Sequence, residues 1–190
     1  NEGKIDEGGT MVAQIKTRMT AAEFFELPES NQFIELLDGE LIMSPSPLTR
    51  HQRMSGWFFA LLLDLIPNGE LFYAPMDVYF DDDNVPQPDI MWVAENSQCV
   101  VTEKRLVGPP DLIVEVLSPG TAANDRKKKY ELYQKYGVRE YWIADPVHLL
   151  LDVWQLVDGA FVWLGAFGTT DTFISPVLGK SISLDGVLKS

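Results

Sequence analysis

Cysteine and histidine are almost missing from this chain of 190 residues. Cys99 is the single cysteine, which excludes an internal disulfide and a multi-cysteine zinc or iron–sulfur site. His51 and His148 are the two histidines, and so small a number argues against a histidine-rich metal site. These absences exclude multi-cysteine metal centres and argue against histidine-rich ones.

Long apolar runs are missing as well. The longest, residues 57–63, ends at Asp64 and is far shorter than the roughly 18 residues of a membrane-spanning helix. The N-terminus lacks the basic start, apolar stretch and cleavage site that are typical of a secretory signal. With 46% hydrophobic and 23% charged residues, the composition is that of a globular protein. We therefore expect a cytoplasmic protein with a flexible tail over residues 1–18 and a single domain over 19–190.

Positive charge is scarce, because 15 Lys and Arg residues face 28 Asp and Glu residues, for a net charge of -13. Between Asp64 and Glu103 there are nine carboxylates and no Lys or Arg. Binding of nucleic acid by bulk electrostatics needs a basic surface, so the overall charge argues against a protein of that kind. Residues 121–145 are the exception, with six basic against four acidic residues.

Turn signals and apolar periodicity predict a mixed sheet with helices packed on it. Asp38-Gly39 and Asp158-Gly159 each separate two apolar runs, a pattern that indicates β-hairpins. An almost wholly apolar strand over 111–117 is followed by an amphipathic helix over 124–136 and a strand over 139–144. This strand–helix–strand unit between hairpins predicts an α/β protein of mixed α+β character. The remaining predicted elements are a helix after Thr20, a helix over 51–66, strands over 71–80 and 88–93, and an irregular connection over 95–108.

Two carboxylates have unusual positions in this pattern. Glu115 lies inside the apolar strand, where an ionised carboxylate is costly unless it is paired, protonated or bound to a metal. Asp89 opens the preceding strand, and if the two strands are neighbours both carboxylates can converge on a hard cation such as Mg²⁺. Asp111 is a poorer partner, because four residues along one strand place it about 13 Å from Glu115. The alternative is an ion-paired Glu115 and an Asp89 that caps a turn.

A third carboxylate and a nearby cation complete the candidate set. Glu35 is flanked by apolar residues in a predicted strand, and its alternative is an outward-facing position on a half-buried hairpin. A metal-assisted phosphodiester hydrolase also needs a cation near the scissile phosphate, where it stabilises developing negative charge. Lys127, Lys128 and Lys129 follow Glu115, but on a helix at most one or two of them can face the carboxylates. A solvated basic helix end is the alternative for this cluster.

Several short motifs occur in an order and spacing that are typical of one known group. They are Pro88-Asp89, residues 110–119, Asp125 with Lys129, Tyr133, Gly137-Val138, residues 140–146, the hairpin 34–41 and the segment 44–47 followed by His51. With these motifs the chain resembles the Uma-type restriction endonuclease family over Thr20 to Asp185. That family is assigned to the PD-(D/E)XK nuclease-like fold, a restriction-endonuclease-like central mixed sheet flanked by helices, here with added N- and C-terminal hairpins.

The resemblance implies Mg²⁺- or Mn²⁺-dependent cleavage of DNA by metal-activated water. Carried over, Asp89 is the Asp of the PD element, Glu115 is the acid of the (D/E)XK element, and both would bind the metal. Glu35 corresponds to the additional acidic position near the N-terminus. Leu117 stands where the motif lysine would fall and cannot contact phosphate, so Lys129 is expected to take that role. The resemblance leads us to expect DNA phosphates at Arg126, Lys127 and Lys128.

Two other interpretations stay open. The net charge and Leu117 favour a catalytically inactive nuclease-fold module for binding or assembly. In that module Trp154, Phe161 and Trp163 would form a subunit contact, and the alternative is that at least two of them belong to the ordinary core. A carboxylate–metal phosphatase or nucleotide hydrolase would share the site but not the DNA. Cleavage of both strands of a duplex would favour a homodimer.

Overall fold

The computed structural model describes residues 18–28, 33–66, 68–118 and 122–188, and only the backbone of 122–125. The predicted tail lies outside the described residues except for Arg18. Within these ranges the helices are α1 (Ala21–Phe25), α2 (Thr49–Leu65) and α3 (Ala122–Tyr136). The strands are β1 (Phe33–Leu37), β2 (Glu40–Ser44), β3 (Glu70–Tyr73), β4 (Val78–Tyr79), β5 (Ile90–Val93), β6 (Val100–Val101), β7 (Leu106–Val107), β8 (Leu112–Val116), β9 (Glu140–Asp145), β10 (Leu150–Val157), β11 (Ala160–Phe167), β12 (Thr172–Ser175) and β13 (Lys180–Ser183).

A six-stranded mixed sheet in the order β11-β10-β9-β8-β5-β3 forms the centre of the fold. Strands β8 and β9 pair in parallel, and their other neighbours pair in antiparallel fashion. Parallel neighbours need a crossover, and α3 provides it between β8 and β9. The predicted strand–helix–strand unit and the mixed-sheet fold class are confirmed.

The central sheet buries apolar side chains on both faces. On one face α2 contributes Phe58, whose ring lies 6.2 Å from that of Trp142. On the other face α3 contributes Tyr133, whose ring lies 5.1 Å from that of Tyr141. Because β8 is covered on both sides, Glu115 is the one charged side chain in an otherwise apolar strand. None of the helices in the described ranges is long and apolar enough to cross a membrane.

Both predicted Asp-Gly hairpins are present. Asp38 and Gly39 have φ angles of 52° and 74°, which fit a two-residue turn that needs positive φ at both positions. Asp158-Gly159 joins β10 to β11 with φ angles of 50° and 80°. The β1–β2 hairpin forms a separate two-stranded sheet that carries Glu35 beside the central sheet.

Two predictions of local structure were wrong. The predicted strand over 71–80 is split into β3 and β4, which belong to different sheets, because Pro75 lacks the N–H that a continuous ladder needs. The predicted irregular connection over 95–108 contains β6 and β7, which form a three-stranded sheet with β4. The β12–β13 hairpin was not predicted; it is held by buried Glu140, which accepts hydrogen bonds from Ser175 Oγ and Val177 N at 2.9 and 3.0 Å.

Candidate active site

Asp89 and Glu115 lie on neighbouring strands. The antiparallel register of β5 and β8 pairs Ile90 with Val114, so the next pair along the ladder is Asp89 and Glu115. Directly opposite residues project from the same face of a sheet, with Cβ atoms roughly 4.5–5.5 Å apart. Asp89 Oδ2 also accepts a hydrogen bond of 2.7 Å from the backbone N–H of Val116, which fixes its carboxylate next to Glu115.

Lys129 of α3 brings two of the predicted carboxylates together. Its Nζ lies 2.8 Å from Glu35 Oε1 and 3.0 Å from Glu115 Oε1. Glu35 is 6% exposed and Lys129 is 8% exposed, so both charges are withdrawn from water. Glu35 is fixed by the backbone N–H of Gln87 at 2.7 Å, and it therefore faces inward and not out of the hairpin.

These four side chains form part of the wall of one open cavity of about 520 Å³. Helix α2 and the β1–β2 hairpin contribute the facing lining through residues such as His51 and Phe33. Asp111 lies outside this cluster, as expected from its distance along β8, and instead accepts hydrogen bonds from Ala94 N and Arg139 Nη1.

Comparison with known proteins identifies the family. Residues 21–185 match the family model described as "Uma2: Putative restriction endonuclease". The chain belongs to the Uma2 family. The resemblance seen in the sequence motifs is thereby confirmed. A relative of this Uma2 chain, "Uncharacterized protein sll1609" from Synechocystis sp. (strain ATCC 27184 / PCC 6803 / Kazusa), is 28% identical over 159 residues, which cover 81% of this chain and 89% of that protein.

The fold has a match among solved structures. The crystal structure of "a putative nuclease belonging to DUF820" from Anabaena variabilis ATCC 29413 superposes with a TM-score of 0.74. The two chains are 19% identical, and the match covers 90% of this Uma2 chain and 97% of the other. The likeness confirms the predicted nuclease-like fold, a central mixed sheet with flanking helices.

Of the four clustered side chains Asp89, Glu115, Glu35 and Lys129, Glu115 interacts with the charges of the other three. Desolvation raises the pKa of Glu115 to about 7, and the charges of Asp89 and Glu35 raise it as well, while Lys129 and the Tyr133 hydroxyl lower it. Desolvation opposes protonation of Lys129, but the two nearby glutamates outweigh it and raise the Lys129 pKa well above its ordinary value. Near neutral pH, Lys129 therefore keeps its positive charge, while Glu115 titrates between its protonated and its ionised form.

His51 is a site residue to which sequence reasoning gave no role. From the first turn of α2, its Nε2 lies 3.2 Å from Asp89 Oδ2. Desolvation lowers the His51 pKa, but the hydrogen bond and charge of Asp89 outweigh this effect and raise it. His51, Ser55 and Phe59 follow at intervals of four along the cavity side of α2, but this spacing alone indicates a shared helix face and not a contact with Asp89.

The three residues expected at DNA phosphates point to three different places. Arg126 lines the cavity and its Nη2 lies 3.1 Å from Asp152 Oδ2. Lys128 pairs with Glu40 on the β1–β2 hairpin at 2.9 Å. The Lys127 side chain is 79% exposed and lies 3.8 Å from Glu131. Of the three, Arg126 is the one placed to meet a ligand in the cavity, because successive helical residues project in different directions.

The donor set of the cluster fits a hard divalent cation. The hydrogen bonds and ion pairs found among the described residues engage Oδ2 of Asp89 and Oε1 of Glu115, which leaves Asp89 Oδ1 and Glu115 Oε2 for a cation. Within the described part of the chain, no group of three or more His, Cys, Asp and Glu side chains is arranged as a ready metal site. Mg²⁺ is commonly bound by one or two carboxylates together with water and substrate phosphate, which two free carboxylate oxygens can satisfy.

Tyr133→Phe should change the ionisation of Glu115. Its hydroxyl donates a 2.7 Å hydrogen bond to Glu115 Oε1, and without that donor the Glu115 pKa is expected to rise. We expect the free energy of unfolding, measured with urea, to fall by about 1–2 kcal/mol. Carboxyl NMR should show that Glu115 titrates at a higher pH than in the wild type. Tyr130→Phe on the same helix, whose ring packs against Trp154, is the matched control. Equal behaviour of the two variants would contradict this role of the Tyr133 hydroxyl.

Proposed function

We propose that this Uma2 protein is a metal-dependent DNA endonuclease that hydrolyses phosphodiester bonds with Mg²⁺ or Mn²⁺. The observation that carries the proposal is the convergence of Asp89, Glu115, Glu35 and Lys129 on one open cavity. Two carboxylates with unengaged oxygens and a buried ammonium are the groups that metal-assisted phosphodiester hydrolysis needs. The family description supports the same reaction class.

Each side chain has a distinct role in this proposal. Asp89 and Glu115 would hold the cation, which would supply polarisation of the phosphate and a lower pKa of water when bound. Lys129 supplies the positive charge that Leu117 cannot, and it stabilises negative charge that develops on the phosphate. Glu35 positions Lys129 through the 2.8 Å ion pair. Arg126 binds a neighbouring phosphate at the cavity wall.

A catalytically inactive binding or assembly module is the second candidate. The ion pairs that Lys129 makes with both glutamates favour it, because they neutralise these groups without a metal. The open cavity beside the carboxylates favours the enzyme. The proposed endonuclease would act in the cytoplasm. If it cuts both strands of a duplex, we expect a homodimer, which a measurement of the molar mass in solution tests.

A nicking assay tests the proposal directly. Purified protein is incubated with supercoiled plasmid and with single-stranded circular DNA in Mg²⁺, in Mn²⁺ and in EDTA. We expect metal-dependent cleavage that falls by about 10²-fold or more in Glu115→Gln. Glu103→Gln, at an exposed position away from the cavity, is the matched control and should cleave like the wild type. Metal-dependent cleavage that survives in Glu115→Gln would refute the assigned roles, and no cleavage of either DNA would favour the inactive module.

A further inference from the structure

The cavity is larger and more apolar than a cation and a phosphate require. Its volume of about 520 Å³ lies in the range of pockets that hold small organic ligands, roughly 300–1,000 Å³. Beside the charged cluster it is lined by rings and apolar side chains, which include Phe33, Pro45, Phe59, Tyr73 and Ile90. Part of the cavity is therefore suited to a flat apolar group attached to the phosphate.

Phe59 and Tyr73 form an aromatic pair in that part of the cavity. Their ring centroids are 5.0 Å apart in an edge-to-face arrangement, and Tyr73 is 64% exposed. Tyr73 pairs with Ile90 across β3 and β5, and β5 separates β3 from β8. Two strand spacings, about 10 Å, therefore separate the Tyr73 backbone from that of Glu115. The sugar and phosphate of a nucleotide can span the space between an aromatic ring at one end and the carboxylates at the other.

Gly56 leaves room on the α2 side of the same cavity. It lies in the interior of α2, where glycine is less favourable than alanine. A Cβ built at this position would meet nothing within 4 Å, so packing does not require the glycine. Gly56 lines the cavity, and a side chain there would occupy space that is open to a ligand.

Charge near the cavity is poorly suited to a continuous duplex. Among the described cavity residues the lysine and arginine side chains are Lys129 and Arg126, and each is already paired with carboxylates. The stretch from Asp64 to Glu103, which contains β3 and β5, has no Lys or Arg. Affinity for duplex DNA depends largely on Lys and Arg contacts to phosphates. Stacking of an unpaired base on aromatic side chains is a source of affinity that needs no basic surface.

We infer that the cavity takes an unpaired nucleobase next to the scissile phosphate, so that the substrate class is DNA with unpaired nucleotides and not continuous duplex. The inference rests on the proposed nuclease function and specifies its substrate. The base stacks on Phe59 and Tyr73, and its phosphate faces Asp89, Glu115 and Lys129. Gly56 provides the space beside the base.

Gly56→Leu is the sharpest test, because it fills the cavity without removing any contact. Leucine is a better helix former than glycine, so the thermal midpoint should stay equal or rise. Ala60→Leu is the matched control, since it adds a leucine to an exposed position of α2 outside the cavity. The readout is Mn²⁺-dependent cleavage of a single-stranded oligonucleotide, a fully paired duplex and a duplex with one bulged nucleotide.

We expect the wild type to cleave the two unpaired substrates at least 10-fold faster than the paired duplex. Gly56→Leu and Tyr73→Ala should each lose about 10-fold or more on the unpaired substrates, while Ala60→Leu cleaves like the wild type. Equal cleavage of paired and unpaired DNA, or equal rates for Gly56→Leu and Ala60→Leu, would overturn the inference and leave the nuclease proposal standing.

If no DNA is cleaved, the nuclease proposal fails. A measurement of DNA binding then tests separately whether the cavity takes a nucleobase. Fluorescence anisotropy with a labelled single-stranded oligonucleotide compares the wild type, Gly56→Leu and Ala60→Leu. Binding that is weakened in Gly56→Leu alone supports a base in the cavity. Binding that is equal in all three proteins, or absent from the wild type, overturns it.

Discussion

Lys129→Met is expected to reduce DNA cleavage by about 10²–10³-fold and to lower the free energy of unfolding by about 3–5 kcal/mol. Lys129 is buried between Glu35 and Glu115, and methionine keeps most of its volume while removing its charge. The stability loss follows because two buried carboxylates then face each other without a cation. The activity loss follows because Leu117 cannot supply the missing charge. Urea unfolding and the nicking assay measure the two effects.

Two further variants separate the structural effect of Lys129 from its proposed catalytic effect. Lys127→Met removes an exposed lysine from the same helix and should leave stability nearly unchanged. Adding Glu35→Gln to Lys129→Met removes one of the unpaired carboxylates, so stability should partly recover while cleavage stays low. A Lys129→Met protein that cleaves like the wild type would contradict the role proposed for this lysine.

Mn²⁺ is expected to raise the thermal midpoint of the wild type by roughly 5–10 °C when its concentration is about 100 times the dissociation constant. The shift arises because a cation bound only by the folded state stabilises that state by about 2.7 kcal/mol at this concentration. In Asp89→Asn/Glu115→Gln the shift should disappear. A shift that persists in the double variant would place the cation elsewhere.

The same measurement should depend on pH in a defined direction. Burial raises the pKa of Glu115 from its ordinary value of 4.5 to about 7, so the folded state binds more protons than the unfolded state between these values. Without metal, this group therefore makes stability fall as the pH rises from about 4.5 to 7, and the raised pKa of His51 makes stability fall further as the pH rises above 6.5. A cation must displace the Glu115 proton, so the Mn²⁺ shift should be larger at pH 8 than at pH 6. An equal shift at both pH values would contradict the assignment of Glu115.

Local sequence signals predicted much of the fold and the identity of the candidate carboxylates. Asp38-Gly39 indicates its hairpin because few residues tolerate two successive positive φ angles. Glu115 was conspicuous because a charge inside an apolar strand must have a partner. The sequence predicts that Glu115 lies close to Asp89 only if their two strands are neighbours, since strand order and register are properties of the whole sheet.

Other features depend on contacts that no local pattern contains. Lys127, Lys128 and Lys129 are adjacent in sequence, and the packing of α3 on the sheet decides which of them turns inward. His51 contacts Asp89 only because the packing of α2 places its first turn beside Asp89, the residue before β5. Phe59 and Gly56 likewise line the cavity because of how α2 packs on the sheet. An apolar helix face in the sequence predicts burial but not which residues line a cavity.

The separate β1–β2 hairpin has a consequence for the order in which the cluster can form during folding. Glu115 and Lys129 are 14 residues apart in sequence and belong to one strand–helix unit. Glu35 is held by the backbone N–H of Gln87, which is 52 residues away from Glu35 in sequence. Contacts between residues close in sequence lose less chain entropy on closure and form more readily than distant ones. The Glu115–Lys129 pair can therefore form before the hairpin docks, and Glu35 joins it only when the long-range contact closes. A nascent or partly unfolded chain in which the hairpin has not docked therefore lacks the contact of Glu35 with Lys129.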